Sequence, residues 1–217
     1  MGSSYLDDTI RHAYGPLLEP HGFSMTRPRK WVRDKKVPIR EVFQIYTLKS
    51  GMVFSPRWGF GVDFVPLFWS RKPRWHRTNK SCELDLIIDP RDLGGDPSDW
   101  HSFSHSPRHA AITLPQLRAV AYRTVPFVLQ DFSRVSSLHD LEALYAEREK
   151  LPYRRFSLDN YVQSYISWAL VCCALGREER CGELLDRFCA RHNVDKKHPM
   201  LLKALEQARA FREPPKP

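Results

Sequence analysis

The chain has 217 residues, of which 42% are hydrophobic and 27% charged; these are the values of a globular chain long enough to bury a core, and they exclude a disordered one. No apolar run approaches the about 18 residues of a membrane span, and Met1-Gly-Ser-Ser-Tyr-Leu-Asp-Asp8 has neither the basic start nor the apolar stretch of a signal peptide. The net charge of +9 is concentrated: residues 26–80 carry 14 Lys/Arg against 3 Asp/Glu, while residues 81–217 carry 19 of each. A field of that kind favours an acidic partner and speeds its arrival.

Leu6, Ile10, Ala13, Tyr14, Leu17 and Leu18 recur at helical spacing after Ser4, which is expected to cap the helix, and Pro20 and Gly22 stop it. Phe23 begins extended chain. Lys30-Trp-Val-Arg33 and Ile39 to Leu48 then read as paired strands around the turn Asp34-Lys35-Lys36. A turn at Lys49-Ser50-Gly51 leads to the stretch Arg57-Trp-Gly-Phe-Gly-Val-Asp-Phe64. Its alternation predicts a central strand, with Trp58, Phe60, Val62 and Phe64 on a buried face. Arg57, Gly59, Gly61 and Asp63 are expected on a wet face, where the glycines leave backbone that something can approach closely. Leu84, Leu86 and Ile88 complete a four-strand meander and are expected to join the same core.

Residues 89–112, rich in Asp, Ser, Pro, Gly and His, read as loop. Beyond Thr113 the pattern is helical. The stripe Leu114, Leu117, Val120, Ala121, Val128, Leu129 and Phe132 is expected to kink at Pro126, and Ser137 with Asp140 caps a helix through about Glu149. Ser157 opens a helix carrying Tyr161, Tyr165, Trp168, Ala169 and Cys172 and ending at Gly176; Leu184, Leu185 and Phe188 mark the next. Leu201, Leu202, Leu205 and Ala208 mark the last. The fold class predicted is α+β: an N-terminal helix and four-stranded antiparallel meander packed against C-terminal helices. Residues 1–150 form the sheet domain, 151–213 a helical cap and 214–217 a disordered tail. Cys82, Cys172, Cys173, Cys181 and Cys189 are an odd number, and four lie in helical sequence. They suit buried thiols in a reducing, cytoplasmic setting.

Leu17-Leu-Glu-Pro-His-Gly-Phe23, the basic strand Arg29-Lys-Trp-Val-Arg33, Phe43-Gln-Ile-Tyr46 and Trp58-Gly-Phe-Gly-Val62 together resemble the bacterial family called domain of unknown function 4304, over roughly residues 5–150. That family offers no catalytic residues to carry over. Its likeness to small α+β proteins encoded beside secreted bacterial toxins implies an immunity role, by analogy of fold. The helix pair around Ala169 to Gly176 and Cys181 to Phe188 resembles a single tetratricopeptide-type repeat; one copy makes no solenoid.

The most distinctive polar segment is Pro66 to Lys80, which sets Arg71, Lys72, Arg74, Arg77 and Lys80 among Phe68, Trp69, Trp75 and His76 with no acid. Trp and Arg dominate protein interface hot spots, and cations beside flat rings also suit single-stranded nucleic acid. Alternatively the tryptophans plug the core and the cations are merely solvated. Arg57, Arg71, Lys72, Arg74, Trp75, His76, Arg77 and Lys80 are therefore the candidate partner-binding residues.

Other constellations are weaker. His101, His105 and His109 have metal-like spacing, with Asp96 and Asp99 nearby, but the intervening serines and Pro107 argue against the helix that would make the ligands converge. Cys181 and Cys189 lie roughly 12 Å apart along a helix, too far to share an ion with His192 and His198. Glu41, Asp63, Glu83 and Asp85 are placed together on the wet face, where paired carboxylates do acid–base chemistry only if their environments differ. No nucleophile, phosphate-loop or dinucleotide motif is present. The expectation is a non-enzymatic binding protein without cofactor or metal. In it an immunity protein occludes the active site of an acidic toxin or effector; the alternative is a nucleic-acid-binding accessory domain using residues 66–80. No membrane partner is expected.

Overall fold

A computed structural model describes residues 2–34, 38–48, 53–68, 74–75, 78–88, 103–104, 113–150 and 162–211. Helix α1 (Gly2–Leu18) runs into a 3-10 turn at Glu19–His21, and Gly22 at φ 84° takes the left-handed conformation that ends it. The helix begins two residues before Ser4, so that serine lies inside the first turn and does not precede it as a cap.

Strands β1 (Ser24–Arg27), β2 (Lys30–Asp34), β3 (Ile39–Leu48), β4 (Val53–Val62) and β7 (Leu86–Ile88) form the antiparallel sheet in that order. Two-residue strands β5 (Pro66–Leu67) and β6 (Arg74–Trp75) pair as a separate ribbon, and β8 (Phe103–Ser104) adds to β4. The α+β class and the meander are as expected from sequence, with β1 as an additional edge strand. Helices α2 (Leu114–Ser133), α3 (Leu138–Glu149), α4 (Val162–Ala174), α5 (Glu178–His192) and α6 (Pro199–Ala210) follow. Thr113 caps α2 through a reciprocal box with Gln116, and α2 runs on through Pro126 as one helix. Ser137 caps α3 by accepting from the Asp140 backbone N–H, as its sequence position predicts. The proposed cap Ser157 lies outside the described residues.

The register β2–β3–β4 sets Trp31, Phe43 and Trp58 side by side, with Ile39, Phe60 and Val62 on the same face. Helices α1 and α2 cover it. The Tyr14 ring sits 5.2 Å from Phe43 and 6.4 Å from Trp31, and Phe132 meets Phe23 and Phe60 at 5.5 Å each. Such ring pairs add about 0.5–1.5 kcal/mol each beyond area burial. The indole N–H of Trp58 donates to Asp131 Oδ2 at 2.8 Å, so a fully buried ring still satisfies its polar atom. Central α4 is buried from Ser164 through Ala174, and its side chains belong to one apolar core with α1, α2, α3, α5, α6 and the sheet. Among the described residues no helix is long and apolar enough to cross a membrane.

The face expected to be wet is buried instead. Gly59, Gly61 and Asp63 are covered, and only Arg57 retains partial exposure. What approaches the bare backbone is the chain's own segment 82–86. A Cβ on Gly59 would stand 1.9 Å from the Leu86 carbonyl oxygen, and one on Gly61 2.5 Å from Cys82 Sγ and the Glu83 carbonyl oxygen. Gly59 also has φ 150°, which side chains rarely adopt. Val32, Val42, Cys82 and Leu84 make a small second core here. Leu84 is thus separated from Leu86 and Ile88, because residues 82–85 are not regular strand and the two-residue alternation fails ahead of β7.

Candidate binding surface

The four candidate carboxylates do not gather. Glu41, with no exposed surface, lies on the helix-covered face opposite Phe60 and pairs with Arg33, its cross-strand neighbour. The Arg33 guanidinium also lies 4.7 Å over the Phe23 ring and donates to the His21 carbonyl at 2.8 Å. On the opposite face Arg40 pairs with Asp63 and, at 2.9 Å, with Asp34. Asn79 ties into this group by accepting from Arg40 at 3.0 Å and donating to Asp34 at 2.7 Å. Glu83 takes Arg27 and Lys30 at 3.1 Å each, and the Lys30 ammonium also donates to the Cys82 carbonyl. Asp85 accepts from the Val62 backbone N–H at 2.7 Å and from the Gln163 amide at 3.1 Å, with no exposed surface. Each carboxylate is matched to a cation or to N–H donors, so none of these is a pair set up for proton transfer. Glu83 with Lys30 and Arg27, Asp85 with Val62 and Gln163, and Asn79 with Arg40 and Asp34 hold residues 78–85 as a strap across the sheet.

The thiols are similarly inert. Burial, with Asp85 adding to it, pushes Cys82 up to about 12, and burial does the same for Cys172. A hydrogen bond with Cys173 and burial raise Cys181 further. At neutral pH such thiols stay protonated and make poor nucleophiles or ligands. Among the described residues no group of three His, Cys, Asp or Glu side chains is arranged to hold a metal. His101, His105 and His109, with Asp96 and Asp99, lie outside the described residues.

Of the eight partner-binding candidates, Arg57, Arg74, Trp75 and Lys80 are described; Arg71, Lys72, His76 and Arg77 are not. The ribbon pairs Pro66 with Trp75 and Leu67 with Arg74. Its base is fixed to the helices: the Gln163 amide donates to the Pro66 carbonyl at 2.7 Å, and Trp75 packs half-buried on the core. The next residue, Phe68, is buried, edge-on to Phe188 at 5.7 Å and 5.0 Å from the His198 ring. Phe68 and the inner side of Trp75 therefore do plug the core, while Arg74 stands exposed.

Lys80 is exposed on the Thr78–Ser81 turn, beside Asn79 at the Arg40 end of the strap. Arg57 lies elsewhere. It is half-buried on the strap side of the sheet, about 17 Å along β4 from Val62, with its guanidinium 4.0 Å over the Tyr46 ring. The structure joins Arg74 and Trp75 on one ribbon, and it does not join Arg57 to them. Tyr46, 40% exposed, was no sequence candidate; its place beside Arg57 follows from the β3–β4 register, which brings Gln44 opposite Arg57 and Tyr46 next along the same face. Comparison with protein-family models, with curated proteins and with solved structures gave no match.

Proposed function

We propose that the chain is a non-enzymatic binding protein of the immunity type, which neutralises a bacterial toxin by covering its active site. The docking surface centres on the ribbon residues Arg74 and Trp75 and the exposed turn residue Lys80. Arg71, Lys72, His76 and Arg77, adjacent in sequence, are assigned to it from the sequence alone; Arg57 lies apart from it, and the partner is acidic. One observation supports this most. Arg27, Lys30, Arg33 and Arg40, inside the basic half, are matched to acids, whereas Arg74 and Lys80 are exposed and make no ion pair among the described residues. Two cations of residues 26–80 thus stand exposed, Arg74 on the ribbon and Lys80 on the 78–81 turn, and the half-buried Trp75 beside Arg74 offers a rigid anchor. The resemblance to domain of unknown function 4304 points the same way, by analogy alone.

The test is a tagged pull-down from the native host, run with and without nuclease, comparing wild type with Arg74→Ala/Trp75→Ala and with Arg74→Glu/Lys80→Glu. The second variant touches only exposed cations and leaves the core alone. One co-purifying protein that survives nuclease and is lost from both variants is the expected result. Undiminished capture by both variants overturns the surface. Recovery of nucleic acid, with affinity falling log-linearly in salt, transfers the ribbon to the nucleic-acid reading. Burial of one side of Trp75 leaves less ring for base stacking, which disfavours that outcome.

A further inference from the structure

Helix α2 has two apolar stripes. The inner one, Leu117, Val120, Ala121, Val125, Val128 and Phe132, is buried in the core. The outer one, Pro115, Ala119, Tyr122 and Pro126, follows the same helical period on the exposed side. Tyr122 is 64% exposed, the largest value for a large hydrophobic side chain among the described residues. Arg118 and Arg123 flank the stripe, both exposed and without an ion pair among the described residues. The acid nearest on this helix, Asp131, is turned inward to Trp58. Pro126 has no N–H to give the Tyr122 carbonyl, so this face also presents a backbone acceptor lacking its helical donor.

We propose that the outer face of α2 is a docking surface for an acidic, amphipathic helical segment of a partner protein. Leucine-like side chains of that segment would cover Ala119 and Tyr122, and its carboxylates would meet Arg118 and Arg123. Two other occupants fit worse. In a symmetric pairing of two copies the arginines would oppose their own counterparts. A lipid surface gains little from a stripe of proline, alanine and one tyrosine, and its acyl chains give the Tyr122 carbonyl no donor. The surface is independent of the ribbon and does not rest on the immunity reading.

The probes are two labelled synthetic peptides of about 18 residues, built from Leu, Ala, Glu and Gln, long enough to form helix. One has its leucines on a single helical face; the other has the same residues reordered to have none. Fluorescence anisotropy against the full chain is expected to show the ordered peptide binding at least about tenfold tighter, and Tyr122→Ala or Arg118→Gln/Arg123→Gln to remove about tenfold. All three substitutions are at exposed positions, and unchanged circular dichroism confirms the fold. The proposal is overturned if neither peptide binds, if both bind equally, or if the variants bind as wild type does. Sedimentation with phosphatidylserine–phosphatidylcholine vesicles in preference to peptide binding overturns it in favour of a membrane.

Discussion

On one side of β3 and β4, Phe43, Trp58 and Phe60 meet α1 and α2 through rings and methyl groups; on the other, Arg40, Val42, Gly59 and Gly61 meet the chain's own residues 78–86. Around Phe60 and Gly61 both faces are covered, by different chemistry. The first is held mainly by apolar burial, which is nearly indifferent to the identity of individual pairs as long as volume is conserved, with the Arg33–Glu41 pair and the Trp58–Asp131 hydrogen bond set into it. The second is held by cations matched to particular acids and by backbone in van der Waals contact with backbone, where one atom too many or one charge too few is felt at once. A sheet can therefore look amphipathic in sequence and still bury both sides of its central strand around Phe60 and Gly61, with solvent reaching the strap-side face at Tyr46 and Arg57.

The largest test of this contrast is at Gly59. Gly59→Ala places a methyl group against the Leu86 carbonyl at a disfavoured φ and should cost about 4 kcal/mol or more in chemical unfolding, comparable with the about 3–5 kcal/mol of Phe60→Ala on the other face. A Gly59→Ala protein as stable as wild type would mean that β7 does not lie against bare backbone at this position of β4. Next is Arg40→Ala, which removes the Arg40 guanidinium from buried Asp63 and from Asp34 and should cost about 3 kcal/mol. In that variant Cys82, on the strap and buried against Val32 and Val42, should alkylate faster while Cys172, in the helical core, does not change. If both thiols respond together, the two faces open as one unit.

The smallest effect is expected at Asp131, on the helix side. Burial raises this carboxyl above its ordinary 3.8 despite the Trp58 hydrogen bond and Arg134 beside it. The folded state then holds a proton that the unfolded chain has already released, so this group's contribution is present at low pH and is lost as pH rises from 3.8 through the folded value. Asp131→Asn keeps an acceptor for the indole and removes the charge. Its melting temperature at neutral pH should equal or exceed that of wild type, and the difference should vanish on acidification toward pH 4. A variant less stable than wild type at neutral pH, with the deficit disappearing on acidification, would show that the ionised carboxylate is preferred.

Helix ends and the buried aromatic face were legible because each rests on a local signal: Ser137 with Asp140, Gly22 and Gly176, and the alternation from Trp58 to Val62. The strap was not. Gly59 and Gly61 announce close approach without saying what approaches, and the partner lies more than twenty residues on, in a stretch whose alternation breaks between Leu84 and Leu86. Glu41 was misplaced for a related reason. An acid on a strand is read as outward, yet its register puts it among Phe43 and Ile39, where Arg33 across the strand gap makes burial tolerable. Of the candidate surface, composition pointed to the ribbon but could not tell that Phe68 turns inward while Arg74 turns out.

The hydrogen bond from Gln163 to the Pro66 carbonyl spans 97 positions, and the same amide reaches Asp85 at the end of the strap. During synthesis at about 5–20 residues per second, the basic ribbon leaves the ribosome several seconds before α4 does. For that interval its cations are present without the helix that fixes their spacing. The ribbon reaches its final geometry late in the chain's manufacture, and a nascent chain cut short before α4 would display the charge without the shape.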